Sequence, residues 1–574
     1  MKHFLRVTSI CLVLALTVFG KSKTAPDLPN FNKNGSVDVI VQYINPPTKS
    51  ELKQLGAYGQ VKKMYNAIHG INIALPMSVI SQIAADPNVK YISPNRRTKS
   101  AVDISTASVN APLVWSYGFD GSGVGVAVID SGITPKPDLT NPDGSSRIVY
   151  SQDFTGGDGT DAFGHGTHVA GIVAGNGFDS TGALFTRTFK GVAPKVNLIS
   201  LRVLDGTGGG NDSDVIAAID QAIALKNTYN IRVINLSLGR QVYESFVVDP
   251  LCQAAEAAWN AGIVVIAAAG NEGRDNSMGT NGYGTIASPG NDPLVITVGA
   301  TNAHGTASLS DDTIATYSSK GPTLVDHIVK PDLVAPGNNV TSLLASPTCT
   351  LATNYPGTRL PLGSYETNGA TAYSSDYYVL SGTSMAAPVV SGAAALLIQQ
   401  NPALTPDQIK ARMMKTARKI LPSYMSGTSY MDNVTYMDQA DIFTVGAGYL
   451  DIFAALQNND TVTSSAMSPM AVYDSSSGRV TIVRDYSVTV NSVVWGDSVV
   501  WGDSVVWGDS VVWGDSVVWG DSIFSGSLGG LSVVWGDSVV WGDCATSGFS
   551  VVWGDNVDPN SLLSASSYNN GDQK

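Results

Sequence analysis

Cysteine is scarce in this chain: Cys11, Cys252, Cys349 and Cys544 are the four among 574 residues. Cys11 falls inside an N-terminal apolar run, which leaves an odd three in unrelated contexts, so no disulfide framework holds the fold. The six histidines and four cysteines do not gather at metal-ligand spacings either. Basic charge is in short supply, with 34 Lys plus Arg against 47 Asp plus Glu and a net charge of −13. A nucleic-acid partner would need a basic patch, and this balance argues against one. Long apolar runs are missing as well. The N-terminal one, residues 7–19, falls short of the ~20 residues needed to cross a bilayer. Preceded by Lys2 and Arg6 and followed by Gly20, Ser22 and Ala25, it reads as a secretory signal peptide over residues 1–25, with an uncleaved anchor as the alternative.

What is present is enough apolar residue, 43%, for a large core under a lightly charged surface. At about 150 residues per domain the length suggests roughly four segments. Residues 26–100 carry the order β-α-β-β-α-β of a small ferredoxin-like α+β unit. Its strands are "VDVIVQYIN", "VKKMYNAI", "INIALP" and "VKYIS", and its first helix opens on a Thr48–Glu51 capping box. The polar stretch "NRRTKSA" then reads as an exposed link.

From 101 to 457 the pattern changes to unbroken apolar runs, "VGVAVID", "VNLISLRVL", "VINLSLG", "IVVIAAAG" and "VITVGA". Runs without alternation suit a mostly parallel sheet buried on both faces, and helical stretches between them predict a layered α/β fold. Residues 458–491 read as a polar linker with one strand pair, residues 492–555 as repeats, and residues 556–574 as a disordered tail.

Three short motifs sit at the edges of these elements. "AVIDSG" places Asp130 at the end of a strand, "GHGTHVAG" opens a helix on His165, and "SGTSMAAP" starts another at Ser384. Singly, each has an ordinary reading: a turn residue, a structural histidine, an N-cap. Together they supply a nucleophilic hydroxyl, an imidazole to take its proton, and a carboxylate to orient the imidazole. With these motifs in the order Asp, His, Ser, the chain resembles the subtilisin-like serine peptidases over roughly residues 35–457. "AAAGNEG", "NLSLG", "DGTGGG", "YSSKGPT" and "KPDLVAPG" match that family too, and residues 37–94, with "NAIHGINIALP", resemble its inhibitory propeptide.

The resemblance implies a secreted serine endopeptidase, made as a self-processed precursor and acting on polypeptides, with its own propeptide as inhibitor. Asp130, His165 and Ser384 would be catalytic, and Asn271 with the Ser384 amide would form the oxyanion hole. Ser237, Leu238 and Gly239 would pair with substrate on one side, Gly208 and Gly210 on the other. Ala268, Ala269 and Gly270, with Ala287 near the base, would line an uncharged primary pocket favouring apolar residues before the cleaved bond. No cofactor is required for the chemistry. Structural calcium is common in the family, with Asp138 as the one candidate ligand and the others unknown. His168 reads as structural, since residue 166 is Gly where a zinc peptidase would carry Glu. Asp161 reads as a helix cap or a substrate-facing residue. Val389 stands where the family usually has His, which implies altered packing only.

Eight copies of the hexapeptide "SVVWGD", five of them in tandem, hold eight of the ten tryptophans. Val-Val-Trp favours a strand and Gly-Asp a tight turn, so the tail is β-rich or else disordered. Its partners would be a cell surface, a polysaccharide or its own kind. The alternative to a secreted peptidase is a surface-adhesive repeat protein with a dedicated processing or vestigial peptidase domain.

Overall fold

The computed structural model describes residues 23–25, 28, 35–65, 69–94, 104–367, 371–474 and 479–483, with the short pieces 539–540, 563–564 and 571–572. The chain divides into two compact units, residues 1–99 and 100–574. In the first, β1 (Ser36–Tyr43), α1 (Lys49–Gly56), β2 (Val61–Tyr65), β3 (Gly70–Pro76), α2 (Ile80–Ala84) and β4 (Val89–Pro94) follow one another. The strands form one antiparallel sheet in the order β2-β3-β1-β4. Alternate residues of β1, from Val37 to Tyr43, point into a core shared with Ile71, Ile73, Ile80, Ile83 and Ile92. Helix α1 starts where Thr48 and Glu51 cap each other, Glu51 N–H donating to Thr48 Oγ1 at 3.3 Å.

The second unit opens with two short helices, α3 (Ile104–Ser108) and α4 (Ala111–Ser116). Its centre is an eight-stranded sheet. β5 (Gly125–Asp130) lies between β7 (Asn197–Arg202) and β9 (Ile231–Leu236), with β6 (Ile148–Asp153) beyond β7. On the other side follow β10 (Val264–Ala268), β11 (Ile296–Asn302) and then β12 (Thr313–Ile314), with β13 (Leu333–Pro336) also on β11. All pairings are parallel except β11 with β12. Every residue of β5 and of β10 is buried, as unbroken apolar runs covered on both faces require.

Helix α6 (Asp212–Tyr229) packs on β5, β7 and β9, and α7 (Pro250–Asn260) on β10. Helix α7 stops at Ala261, followed by Gly262 at φ +81°. The two-residue strand β8 (Gly209–Gly210) precedes α6. Helix α5 (His165–Ala174) lies against β5 and β14 (Val340–Leu343). β14 and β15 (Arg359–Pro361) flank β16 (Tyr373–Leu380) in a small antiparallel sheet, with α8 (Thr350–Asn354) between. Helix α9 (Thr383–Gln400) then runs against β9, β10, β11 and α5, and its residues 383–398 are all buried. A helix that is apolar all round has no other stable place.

The packed unit continues past residue 457, where the composition reads as a linker. After α10 (Pro406–Thr416) and the hairpin β17 (Tyr424–Thr428) to β18 (Thr435–Gln439), the chain buries Val462, Ala466 and Ser468. Val329 N–H donates to the Pro469 carbonyl and Ala471 N–H to that of His327, both at 2.8 Å. Small residues and backbone pairing make this attachment, and neither leaves a hydrophobic period in the sequence. β19 (Met470–Asp474) and β20 (Arg479–Val483) form an antiparallel pair, and β21 (Val539–Val540), from one hexad, pairs with β20. The reading of the hexads as stacked strand-and-turn units otherwise lies outside the described residues, as does most of the signal-peptide reading. Of the tail read as disordered, β22 (Leu563–Ser564) pairs with β8, and Gly571 and Asp572 are buried. Among the described residues no helix is long and apolar enough to cross a membrane.

Candidate active site

Asp130 ends β5 in the middle of the sheet, and His165 begins α5. At the carboxyl ends of parallel strands the chain leaves the sheet, which opens a crevice there. Both side chains are buried, and His165 Nδ1 lies 2.8 Å from Asp130 Oδ1. The same oxygen accepts the Ser131 N–H at 2.7 Å. A carboxylate on Nδ1 holds the proton there and leaves Nε2 as the basic nitrogen. Among the described residues, neither His165 Nε2 nor Asp130 Oδ2 has a hydrogen-bond partner.

Ser384 is the second residue of α9, in the first turn at the positive end of the helix. Its Oγ donates to the Ser237 carbonyl at 3.1 Å, and Ser237 Oγ donates back to the Ser384 carbonyl at 2.8 Å. Asn235 Nδ2 supports Ser237 Oγ at 2.9 Å, and Ser391 Oγ donates to Asn235 Oδ1 at 2.8 Å. This buried network clips the first turn of α9 to the end of β9. In the sequence reading Asn235 only opens the "NLSLG" segment, with no role for its side chain, and Ser391 has none. The signal for Asn235 was there, an asparagine in the apolar run "VINLSLG", because a buried amide must find partners.

Asn271 follows β10 and is buried. Its Oδ1 accepts Thr383 N–H at 2.9 Å and Thr383 Oγ1 at 3.2 Å. That anchors the carbonyl end of the amide on the residue before Ser384 and makes the other end the donor. Thr383 is therefore a positioning residue that the motif alone did not single out.

Ser237, Leu238 and Gly239 continue the chain beyond β9. Gly208 and Gly210 lie at β8, closed by Asp205 N–H on the Gly209 carbonyl at 2.8 Å. Ala268 ends β10, and Ala269 and Gly270 follow. Ala287 N–H donates to the Ala269 carbonyl at 2.9 Å. A Cβ on Gly239 would lie 3.0 Å from the Ala287 Cβ, and one on Gly270 would lie 3.4 Å from it. Ala287 thus lies between the Gly239 and Gly270 segments. The neighbouring Arg240 is taken up by Asp212 and Asp249, each at 2.9 Å.

Asp161 caps α5: its oxygens accept Gly164 N–H at 2.7 Å, Thr167 N–H at 2.8 Å and Ser131 Oγ at 2.8 Å. Burial raises its carboxyl to about 6. His168 is wholly buried, edge-on to Tyr378, with Nε2 3.1 Å from the Val340 carbonyl. Burial, together with nearby His165, lowers it to about 3. Asp138 spends its oxygens on Asp179 N–H and Tyr377 Oη, both at 2.8 Å, and burial raises it to about 6. Among the described residues no three of His, Cys, Asp and Glu gather as a metal site. Val389 is fully buried in α9, and burial pushes the Cys252 thiol far up.

The family model described as "Subtilase family" matches residues 121–448. Serine protease AprX of Bacillus subtilis (strain 168) is 37% identical over 370 residues, covering 63% of this chain and 76% of that protein. Subtilisin E of the same organism is 34% identical over 373 residues, covering 64% and 81%. The extracellular serine proteinase of Thermus sp. (strain Rt41A) is 32% identical over 383 residues, covering 63% and 75%.

Proposed function

This chain belongs to the subtilase family and is a serine-type endopeptidase, and from that premise we propose that Asp130, His165 and Ser384 are its catalytic triad. Ser384 Oγ attacks the peptide carbonyl and gives its proton to His165 Nε2. Asp130 stabilises the imidazolium, which then protonates the leaving amine. Water, activated by the same imidazole, hydrolyses the acyl-enzyme and returns the proton to Ser384. The developing oxyanion is held by the Asn271 side-chain amide and the Ser384 N–H, with the α9 N-terminus adding its dipole. The observation that carries this reading is the buried 2.8 Å contact of His165 Nδ1 with Asp130, which supports Nε2 as the nitrogen that acts as base.

Substrate would lie as a strand between Ser237, Leu238 and Gly239 on one side and Gly208 and Gly210 on the other. The Ala268, Ala269, Gly270 and Ala287 surroundings support apolar residues before the cleaved bond. Residues 1–25 would direct secretion, and residues 26–100 would form an inhibitory propeptide removed by self-cleavage near 95–104. The hexapeptide tail would hold the enzyme at a surface and take no part in the chemistry.

Ser384→Ala tests the assignment. It is expected to abolish hydrolysis of casein and of blocked peptides and to leave residues 26–100 attached when the variant is expressed alone. Hydrolysis at the parental rate would remove Ser384 as nucleophile, and normal maturation would remove self-processing.

A further inference from the structure

Far along the chain from the motifs, Gly571 and Asp572 sit in a built socket. Asp572 is wholly buried. Its carboxylate receives Arg274 Nη2, Thr316 N–H and Thr316 Oγ1, each at 2.7 Å. Arg274 is itself braced, Nε on Thr316 Oγ1 at 2.8 Å and Nη1 on Ser429 Oγ at 3.0 Å. The dipeptide's main chain is read as closely. Asp572 N–H donates to Asn338 Oδ1 at 2.8 Å, while Asn338 Nδ2 and Asn339 Nδ2 donate to its carbonyl at 3.0 and 3.2 Å. Tyr430 N–H donates to the Gly571 carbonyl at 3.1 Å. A side chain at Gly571 has no room, because a Cβ would stand 2.5 Å from Ser381 Oγ, which the Asn339 N–H holds at 2.9 Å.

A charge is not buried without such partners, and a solvated tail does not acquire them in passing. The socket also shares loops with the catalytic centre: Arg274 lies three residues after Asn271, and Ser381 three before Ser384. Upstream of it in the chain, Leu563 and Ser564 pair antiparallel with Gly210 and Gly209. An open strand edge takes one partner at a time.

We propose that Gly571 and Asp572 form a clamp that holds the Leu563–Ser564 strand on the β8 edge, so that the chain's own tail competes with substrate for the cleft. This rests on the reading of Gly208 and Gly210 as a substrate-binding edge. Tethering makes such a competitor effective even where its free affinity is weak, because its local concentration is on the order of millimolar.

The experiment compares the full-length chain with Asp572→Ala and, independently, Gly571→Val. Kinetics on a blocked tetrapeptide are expected to show KM lower by ~10-fold or more with kcat unchanged. In the Ser384→Ala background, amide exchange at Leu563, Ser564, Gly209 and Gly210 should speed up in both variants. A synthetic peptide of residues 561–574 should restore protection to the Asp572→Ala chain, and the same peptide carrying Asp572→Asn should not. KM unmoved in both variants overturns the proposal, whether or not exchange changes. A peptide SVVWGDS that protects the socket better than residues 561–574 overturns the assignment of its occupant. Exchange that responds as expected, while the full-length chain with Ser384 intact shows no hydrolytic activity in any form, supports the clamp and overturns the peptidase reading instead.

Discussion

In the proposed site, Asn271 and Ser384 are each held by a neighbour to which no chemistry is assigned, Thr383 and Ser237. Thr383 turns the Asn271 amide by taking its oxygen, so the donor end can serve an oxyanion. Asn271→Ala is therefore expected to lower kcat by ~10²–10³ with KM little changed. That size belongs to the corresponding asparagine of a subtilisin, a relative, and is carried over, not worked out from this geometry; a loss below threefold in steady-state kinetics would remove Asn271 from the reaction. His168 makes a different prediction. Its pKa falls from ~6.5 in an unfolded chain to about 3 in the fold. Between those values the unfolded chain binds a proton that the native one does not. Its stabilising share is complete above ~6.5 and is lost as pH falls toward 3, at about 1.4 kcal/mol per unit. Against the Ser384→Ala parent, His168→Gln should gain about 2 kcal/mol in relative stability on going from pH 6.5 to 5. Urea unfolding at the two pH values measures it, and parallel curves would contradict the assignment.

At the scale of elements, one buried ionic knot ties β11, β13, α10 and the segment after residue 457 together. Asp332 accepts Thr297 N–H at 2.8 Å, Lys330 Nζ at 2.7 Å, Ser468 Oγ at 2.5 Å and Lys410 Nζ at 3.2 Å. Burial alone would raise the Asp332 carboxyl, but Lys330 and Lys410 hold it below the usual carboxylate value. Burial in turn lowers Lys410 to about 7 against the pull of Asp332. Removing the shared anion leaves two ammonium groups buried together. Asp332→Ala is expected to cost roughly 3–5 kcal/mol, read as a lower urea midpoint in the Ser384→Ala background. A change under 1 kcal/mol would mean that the knot relaxes into water.

At the scale of the molecule, the end of the folded peptidase decides where the chain can be cut. A chain ending after residue 460 loses Val462, Ala466 and Ser468, and with them a wall of the Asp332 knot. It is expected to lose cooperative unfolding and activity together. Ending after residue 483 keeps these residues and removes the repeats and the Asp572 clamp. That form should hydrolyse peptides with lower KM and appear in the medium instead of on a surface. Assays of cell and medium fractions check this, and unchanged distribution would leave the hexads without an anchoring role.

The serine-peptidase family was legible from the residues alone. Asp130, His165 and Ser384 stand in three short motifs that follow one another in the order of the family, and the parallel sheet announces itself in unbroken apolar runs such as residues 264–268. The Thr48 capping box and the order of the six elements in residues 36–94 followed from spacing in the same way. What the tertiary structure decided are the contacts between residues far apart in sequence that follow no period: Thr383 on Asn271, Ser391 behind Asn235, Lys410 on Asp332, and Asp572 in the grasp of Arg274 and Thr316. A polar side chain in a sequence does not say which partner will satisfy it. Only the packed chain does, because burial removes the water that would otherwise serve, and whichever groups the fold brings within hydrogen-bond reach must take its place.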